Sequence, residues 1–306
     1  MIVGVSLSVA LGVWAAVGFW SSEFPDLTLL KRRYPVIIPL GASSRAGRSG
    51  PSFRVDWSSQ RPSGWKSLTE ISPLAVGAVV VSEDWAFFSH RGYDSVQIRE
   101  ALRHDLEQGS FARGASTITQ QVVKNLFLTQ EKTLWRKAKE LLLATRLDRQ
   151  LGKRKVLETY FNIVEWGPGV FGIAAASSYY FGKAPSALNA REAAFLAMLL
   201  PSPIRYSQSF RQKNLTRFAR HSISRILGKM VSAGYLTPEE ADQAVQQRLS
   251  FESGAPDSQE SEAEELSSAS SFESDSPSES PHEPESDLSD EGAVPDSESA
   301  AEEIDQ

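Results

Sequence analysis

Two carboxylates and several cations lie along one stretch of the chain in an order that suits sugar-phosphate chemistry. Glu83 and Asp84 follow an apolar run and precede the aromatic-rich segment 85–88. Aromatic neighbours exclude water from a carboxyl group, which raises its pKa and makes it a competent general base near neutral pH. Glu83 is therefore a candidate base, although two adjacent acids alone more often form an exposed pair at a helix start.

The polar segment 114–121, Gly-Ala-Ser-Thr-Ile-Thr-Gln-Gln, is the most specific motif in the chain. Ser116 provides a hydroxyl, Gln120 and Gln121 provide amides, and Lys124 follows one helical turn later. If a helix starts at Ser116, its free N–H groups and Lys124 form a site for an anion. An N-capped helix with a polar face is the ordinary alternative, but it leaves three hydroxyls and two amides within six positions unexplained.

A second charged group, Arg136, Lys137 and Glu140, falls on a predicted helix that begins after Thr133 and stops at Gly152. Cations of this kind stabilise the negative charge that develops on a pyrophosphate leaving group. Glu140 is a second carboxylate, able to orient a cation or a metal. The spacing of Arg136 and Glu140 also fits an ordinary surface ion pair, worth roughly a few tenths of a kcal/mol.

Other site types find little support in the sequence. Four His and no Cys exclude zinc-type ligand spacing, and no Gly-rich phosphate loop is followed by Lys and Ser or Thr. Residues 63–66 match a transpeptidase nucleophile motif, but the chain has no Lys-Thr-Gly partner for it, and we reject that interpretation.

The charge is divided between a basic body and an acidic tail. Residues 252–306 contain 19 of the 38 Asp and Glu and no Lys or Arg, and this composition predicts a disordered tail. Residues 1–251 keep 19 acids against 32 Lys and Arg, a charge of about +13. Such a body suits anionic lipid head groups, pyrophosphate or nucleic acid, but the basic residues form no recognisable nucleic-acid motif.

The first 22 residues contain no charged side chain. The mostly apolar residues 2–20, as a helix, span roughly 28 Å, which is close to the hydrocarbon thickness of a bilayer. We predict a single-pass membrane anchor over 1–22, with a cleaved signal peptide as the alternative. Residues 23–66 are predicted to be a connector, and residues 67–251 a mostly helical domain.

The order and spacing of these motifs resemble the peptidoglycan glycosyltransferase (transglycosylase) family, and in particular its monofunctional biosynthetic branch. Five blocks between residues 74 and 206 occur in the family's order. They are 83–92, 114–125, 136–140, 155–172 and 191–203.

The resemblance implies a mainly α, lysozyme-like fold with a small membrane-facing jaw lobe. It implies an enzyme on the outer (periplasmic) face of the cytoplasmic membrane that polymerises a lipid-linked disaccharide-peptide, lipid II, into glycan strands. The transfer inverts the anomeric centre and releases undecaprenyl pyrophosphate. The tail has no counterpart in the family, and a wall-synthesis protein is its expected partner.

By the same resemblance, Glu83 is the general base and Glu140 is the second family acid, with a positioning role. The pyrophosphate is held by Lys124, Arg136 and Lys137, with Mg²⁺ or Mn²⁺ as a candidate cofactor. The substrate cleft is shaped by Ser116, Gln120 and Gln121. The residues implied to be scaffold are Glu158, Tyr160, Asn162 and Arg191. Trp85 stands where the family usually has Arg.

Two other functions stay open on the residues alone. A carboxylate in a helical cleft could protonate a glycosidic oxygen, as in a lysozyme-like wall hydrolase. A non-catalytic, membrane-anchored interaction protein would instead use the acidic tail to recruit partners.

Overall fold

The computed structural model describes residues 24–40, 53–108, 116–128 and 133–253, which all belong to one compact unit, residues 1–259. The predicted anchor and nearly all of the predicted acidic tail, with its expected partner site, lie outside the described residues. None of the helices among the described residues combines the length and the apolar composition of a transmembrane segment.

The described chain is mainly helical, as predicted. The helices are α1 (Leu29–Arg32), α2 (Pro73–Glu83), α3 (Ser95–Gln108), α4 (Ile118–Phe127), α5 (Leu134–Leu151), α6 (Lys153–Ile163), α7 (Ile173–Phe181), α8 (Ala190–Leu199), α9 (Pro203–Tyr206), α10 (Gln208–Arg211), α11 (Arg217–Ser232) and α12 (Pro238–Gln246). Short 3-10 turns cover Leu68–Glu70 and Pro185–Ala187. The strands are β1 (Tyr34–Pro39), β2 (Phe53–Ser58), β3 (Glu165–Gly167) and β4 (Val170–Phe171).

Side-chain caps fix several helix starts where the sequence predicts them. The Thr133 hydroxyl accepts from the backbone N–H of Arg136, and Thr237 forms a capping box with Glu240. The start of α4 differs from the prediction by one residue, because Thr117, and not Ser116, caps this helix through a capping box with Gln120.

The stretch predicted to be a connector contains an antiparallel pair of strands. β1 pairs with β2 from Tyr34 opposite Ser58 to Pro39 opposite Phe53. The half-buried face of β2 packs on the helical body, where Trp57 stacks on Phe127 with ring centroids 5.8 Å apart. Two prolines and the absence of clean apolar alternation in β1 hide this strand from sequence patterns.

The core is centred on two buried helices that pack against each other, α2 and α8. Every residue of α8 is buried. Helix α2 is apolar on all sides, which is the composition of a helix enclosed by protein. Because α2 ends at Glu83, this rigid core element delivers the candidate base to its position.

Gly92 allows the loop after α2 to approach the backbone of α5. Its φ is +87°, and a Cβ there would lie 2.5 Å from the carbonyl carbon of Ala144. We expect Gly92→Ala to lower the free energy of unfolding by about 2 kcal/mol or more, because strain and a backbone clash add. Chemical unfolding followed by circular dichroism measures the change.

Gly228 provides the matched control for this substitution. It lies inside α11, and a Cβ there would meet nothing within 4 Å. Gly228→Ala should raise stability by about 0.5–1 kcal/mol through helix propensity. Equal effects of the two substitutions would refute the close-approach explanation.

Candidate active site

Glu83 is half-buried at the end of α2, where it accepts a hydrogen bond of 2.8 Å at Oε2 from Nε2 of Gln121. Burial raises the pKa of the Glu83 carboxyl to about 7, the Gln121 bond opposes this rise, and the Asp84 charge adds to it. Of the aromatic neighbours, Phe87 is fully buried, whereas Trp85 and Phe88 are 51% and 57% exposed. The raised pKa is as expected from the sequence, but of the three aromatic side chains expected to shield Glu83 from water, only Phe87 is buried.

A chain of hydrogen bonds orients the amide of Gln121 towards Glu83. The buried Tyr160 hydroxyl donates to Oε1 of Gln121 over 3.1 Å, which leaves the Gln121 NH₂ group to face Glu83. Burial and the charges of Glu83 and Asp84 raise the pKa of Tyr160 well above its usual value, so its hydroxyl stays protonated. The family resemblance implied that Tyr160 is a scaffold residue. In the structure it is hydrogen-bonded to Gln121, which is in turn hydrogen-bonded to Glu83.

Asp84 joins the loop after α2 to the start of α4. Its buried carboxylate contacts Nε2 of His90 at 2.8 Å and accepts from the backbone N–H of Ile118 at 3.0 Å. A carboxylate at a helix N-terminus satisfies a free N–H group and interacts favourably with the helix dipole. Asp84 and His90 therefore position this part of the site, and Glu83 alone of the acidic pair keeps an accessible carboxylate.

The first turn of α4 is hydrogen-bonded both to the loop after α2 and to the second acid, Glu140. Thr117 donates from its hydroxyl to the carbonyl of Gly92 over 2.7 Å. The Gln120 side chain accepts from the backbone N–H of Thr117 and donates to Oε1 of Glu140. Gln120 is fully buried, so it holds Glu140 in place and, contrary to the substrate-binding role predicted for it, exposes no surface to a ligand.

Glu140 is buried and lies between two cations. Its Oε2 is 2.7 Å from Nη1 of Arg136, and its Oε1 is 2.5 Å from Nζ of Lys137. Lys137 also donates to the Ser116 hydroxyl over 3.2 Å. The side chains of Arg136 and Lys137 are 20% and 38% exposed, so each keeps a solvent-facing surface. With two cations on one carboxylate, this cluster has a net positive charge and is more than an exposed ion pair.

Lys124 is exposed on α4, one turn beyond Gln121 and therefore on a neighbouring part of the same helix surface. No described carboxylate pairs with its ammonium group, which leaves the charge available for an anionic ligand.

The described side chains form no cluster that could hold a divalent cation by protein ligands alone, and the expected Mg²⁺ or Mn²⁺ stays a prediction. They include no group of three or more His, Asp or Glu residues that could hold a metal. Both oxygens of Glu140 are already engaged by cations and an amide. We therefore derive no catalytic step through a metal.

Sequence comparison places this geometry in a known family. The profile described as Transglycosylase matches residues 52–231, more than half of the chain. The chain belongs to the transglycosylase family. The matched region contains Glu83, Glu140 and the side chains bonded to them, and it begins inside the stretch predicted to be a connector.

Three relatives illustrate the extent of this transglycosylase similarity. The chain is 42% identical over 162 residues to a biosynthetic peptidoglycan transglycosylase of Nitrosomonas eutropha, covering 53% of this chain and 66% of that protein. It is 49% identical over 144 residues to a protein of the same name from Nitrobacter winogradskyi, covering 47% and 63%. Penicillin-binding protein 1A of Aquifex aeolicus is 39% identical over 183 residues, covering 60% and 25%. The chain thus spans at most about two thirds of the length of these relatives.

Glu83 should make the stability of the protein depend on pH. Its pKa is raised from 4.5 to about 7, so protonated Glu83 contributes stability that is fully present below pH 4.5 and lost as the pH rises through 7. At about pH 8 we expect Glu83→Gln to be more stable than the wild type by roughly 1–3 kcal/mol. At pH 4.5 the two proteins should have nearly equal stability.

Chemical unfolding at the two pH values measures this difference. Glu239→Gln removes an exposed acid outside the site and should give no gain at either pH. A gain for Glu83→Gln that does not change with pH would contradict the raised pKa.

Tyr160→Phe tests whether the Tyr160 hydroxyl positions Gln121. Loss of this donor frees the amide to rotate and weakens its bond to ionised Glu83, so the pKa of Glu83 should rise by up to about one unit. NMR titration of the Glu83 carboxyl carbon measures the shift without reference to any activity.

Tyr180→Phe is the control for this measurement, because the buried Tyr180 hydroxyl donates to the carbonyl of Trp166 and not to the site. It should leave the Glu83 titration unchanged. If both substitutions shifted the pKa equally, the hydrogen-bond chain from Tyr160 would have no specific role.

Proposed function

We propose that this transglycosylase-family protein polymerises lipid II into peptidoglycan glycan strands. The observation that carries the proposal is the pairing of a desolvated base, Glu83, with a cationic cluster around Glu140 through two consecutive glutamines of α4. A base with a pKa of about 7 is ionised in a large fraction of molecules at neutral pH. Its carboxylate is also more basic than an ordinary one, which favours proton transfer to it.

In the proposed reaction, Glu83 removes the proton from the 4-hydroxyl of the acceptor sugar. The hydroxyl oxygen attacks the anomeric carbon of the donor from the side opposite the pyrophosphate. The new C–O bond forms as the bond to undecaprenyl pyrophosphate breaks, and the anomeric centre is inverted. Because pyrophosphate departs as a stable anion, no acid has to protonate it.

The negative charge that develops on the leaving group requires nearby cations. Arg136 and Lys137 present their exposed surfaces for this role, and Lys124, which pairs with no carboxylate among the described residues, adds a third charge. Glu140 holds the first two cations in place, and Gln120 holds Glu140. Ser116 and Gln121 would line the cleft between the base and this cluster.

The proposed substrate requires a membrane-facing surface near the cations. The first turn of α5 exposes Leu134 by 92% and Trp135 by 47%, directly before Arg136 and Lys137. Apolar and aromatic side chains beside basic ones are typical of surfaces at the lipid interface. We assign this turn to the membrane-facing jaw of the protein, working on the outer face of the cytoplasmic membrane.

Incubation of the full chain with lipid II in detergent tests the proposal. We expect polymer from the wild type, with a rate that rises with pH through about 7 as Glu83 loses its proton. Glu83→Gln should reduce the rate by about 100-fold or more, because a general base contributes on that order.

Glu239→Gln is again the matched control and should keep the wild-type rate. Full activity of Glu83→Gln would remove Glu83 as the base. Release of soluble fragments from isolated wall without lipid II would instead indicate a hydrolase. Loss of polymer in every variant and in the wild type would indicate a non-catalytic protein.

A further inference from the structure

A cavity of about 600 Å³ lies between the loop that follows Glu83 and the second half of α5. Its lining includes Ala86, three residues after the candidate base in sequence, and Thr145 and Arg149 of α5. Neither Glu140 nor any residue of α4 lines it, so it is separate from the cationic cluster. Cavities of this size accommodate a ligand of several tens of atoms.

Two arginines give the cavity its charge. Arg91 and Arg149 both line it, are exposed, and pair with no carboxylate among the described residues. Asp94 is the only acid in the lining, and its buried carboxylate accepts from the backbone N–H groups of Val96 and Gln97. Among the described residues that line it, the cavity therefore has two guanidinium groups without a carboxylate partner and no carboxylate without a hydrogen-bond donor.

The remaining lining is mixed in character and suits an organic anion better than a bare inorganic ion. Tyr93 and Val96 are 40% and 60% exposed beside hydroxyls of Ser89 and Thr145. The apolar surfaces can pack on aliphatic groups, while planar guanidinium groups bind carboxylates through paired hydrogen bonds.

We propose that this cavity binds a free carboxylate of the peptide substituent of the glycan substrate. The inference rests on the proposed function, because that function places a peptide-bearing sugar at Glu83. Ala86 lines the cavity and follows Glu83 by three residues, so their Cα atoms are at most about 11 Å apart, a distance that a peptide of several residues can span. The pyrophosphate is not the occupant, because the cations that would hold it lie on α4 and the first turn of α5.

Calorimetry with a lipid-free disaccharide-peptide tests the inference without requiring turnover. The probe is compared with the same compound after its peptide carboxylates have been converted to amides. Wild-type protein should bind the carboxylate form roughly tenfold more tightly, because charge-assisted hydrogen bonds are lost in the amide. Arg91→Gln and Arg149→Gln should each reduce this preference, and the double substitution should abolish it.

Arg99→Gln is the matched control, because Arg99 is an exposed arginine of α3 outside the cavity lining. It should keep the full preference, and circular dichroism should show that all variants are folded. Equal binding of the two compounds by the wild type, or an unchanged preference in the double variant, would overturn the inference. A wild type that discriminates between them but forms no polymer would retain the inference for the cavity and remove the proposed polymerase function.

Discussion

The candidate site depends on how the first turn of α4 is held. Asp84 binds the backbone N–H of Ile118, and Thr117 binds the carbonyl of Gly92, so the turn is tied twice to the loop after α2. From this fixed turn, Gln121 reaches Glu83 and Gln120 reaches Glu140. Consecutive side chains of a helix point about 100° apart, which is why one turn can serve two acids on different sides.

The two acids are placed in opposite environments. Burial and the neighbouring Asp84 charge raise the pKa of Glu83, more than its hydrogen bond from Gln121 lowers it, and this favours a proton acceptor that operates near neutral pH. Glu140 is also buried, but its charge is matched by Arg136 and Lys137. A buried carboxylate without such partners would be costly, so Glu140 and its cations stabilise one another. Different surroundings thus separate the roles of two identical functional groups.

The sequence predicted the helices well where local signals are strong. Thr133 and Thr237 cap their helices as expected, because an N-cap uses atoms within a few residues. It missed the pairing of β1 with β2, since strand pairing joins segments that are distant in sequence and β1 has no clean alternation. It also placed Tyr160 among the scaffold, because nothing in the spacing of α6 indicates that this hydroxyl meets Gln121.

The sequence by itself determined the chemical inventory: a base candidate at Glu83, a polar helix start after residue 116, and a basic cluster with Glu140. These features depend only on residue type and on short spacing along the chain, and both are given directly by the sequence. Only the tertiary structure decided that Asp84 serves the fold, that Gln120 is buried while Gln121 faces the base, and that Arg91 and Arg149 share a cavity. Each of these depends on packing between distant segments, and local sequence patterns contain no information about such contacts.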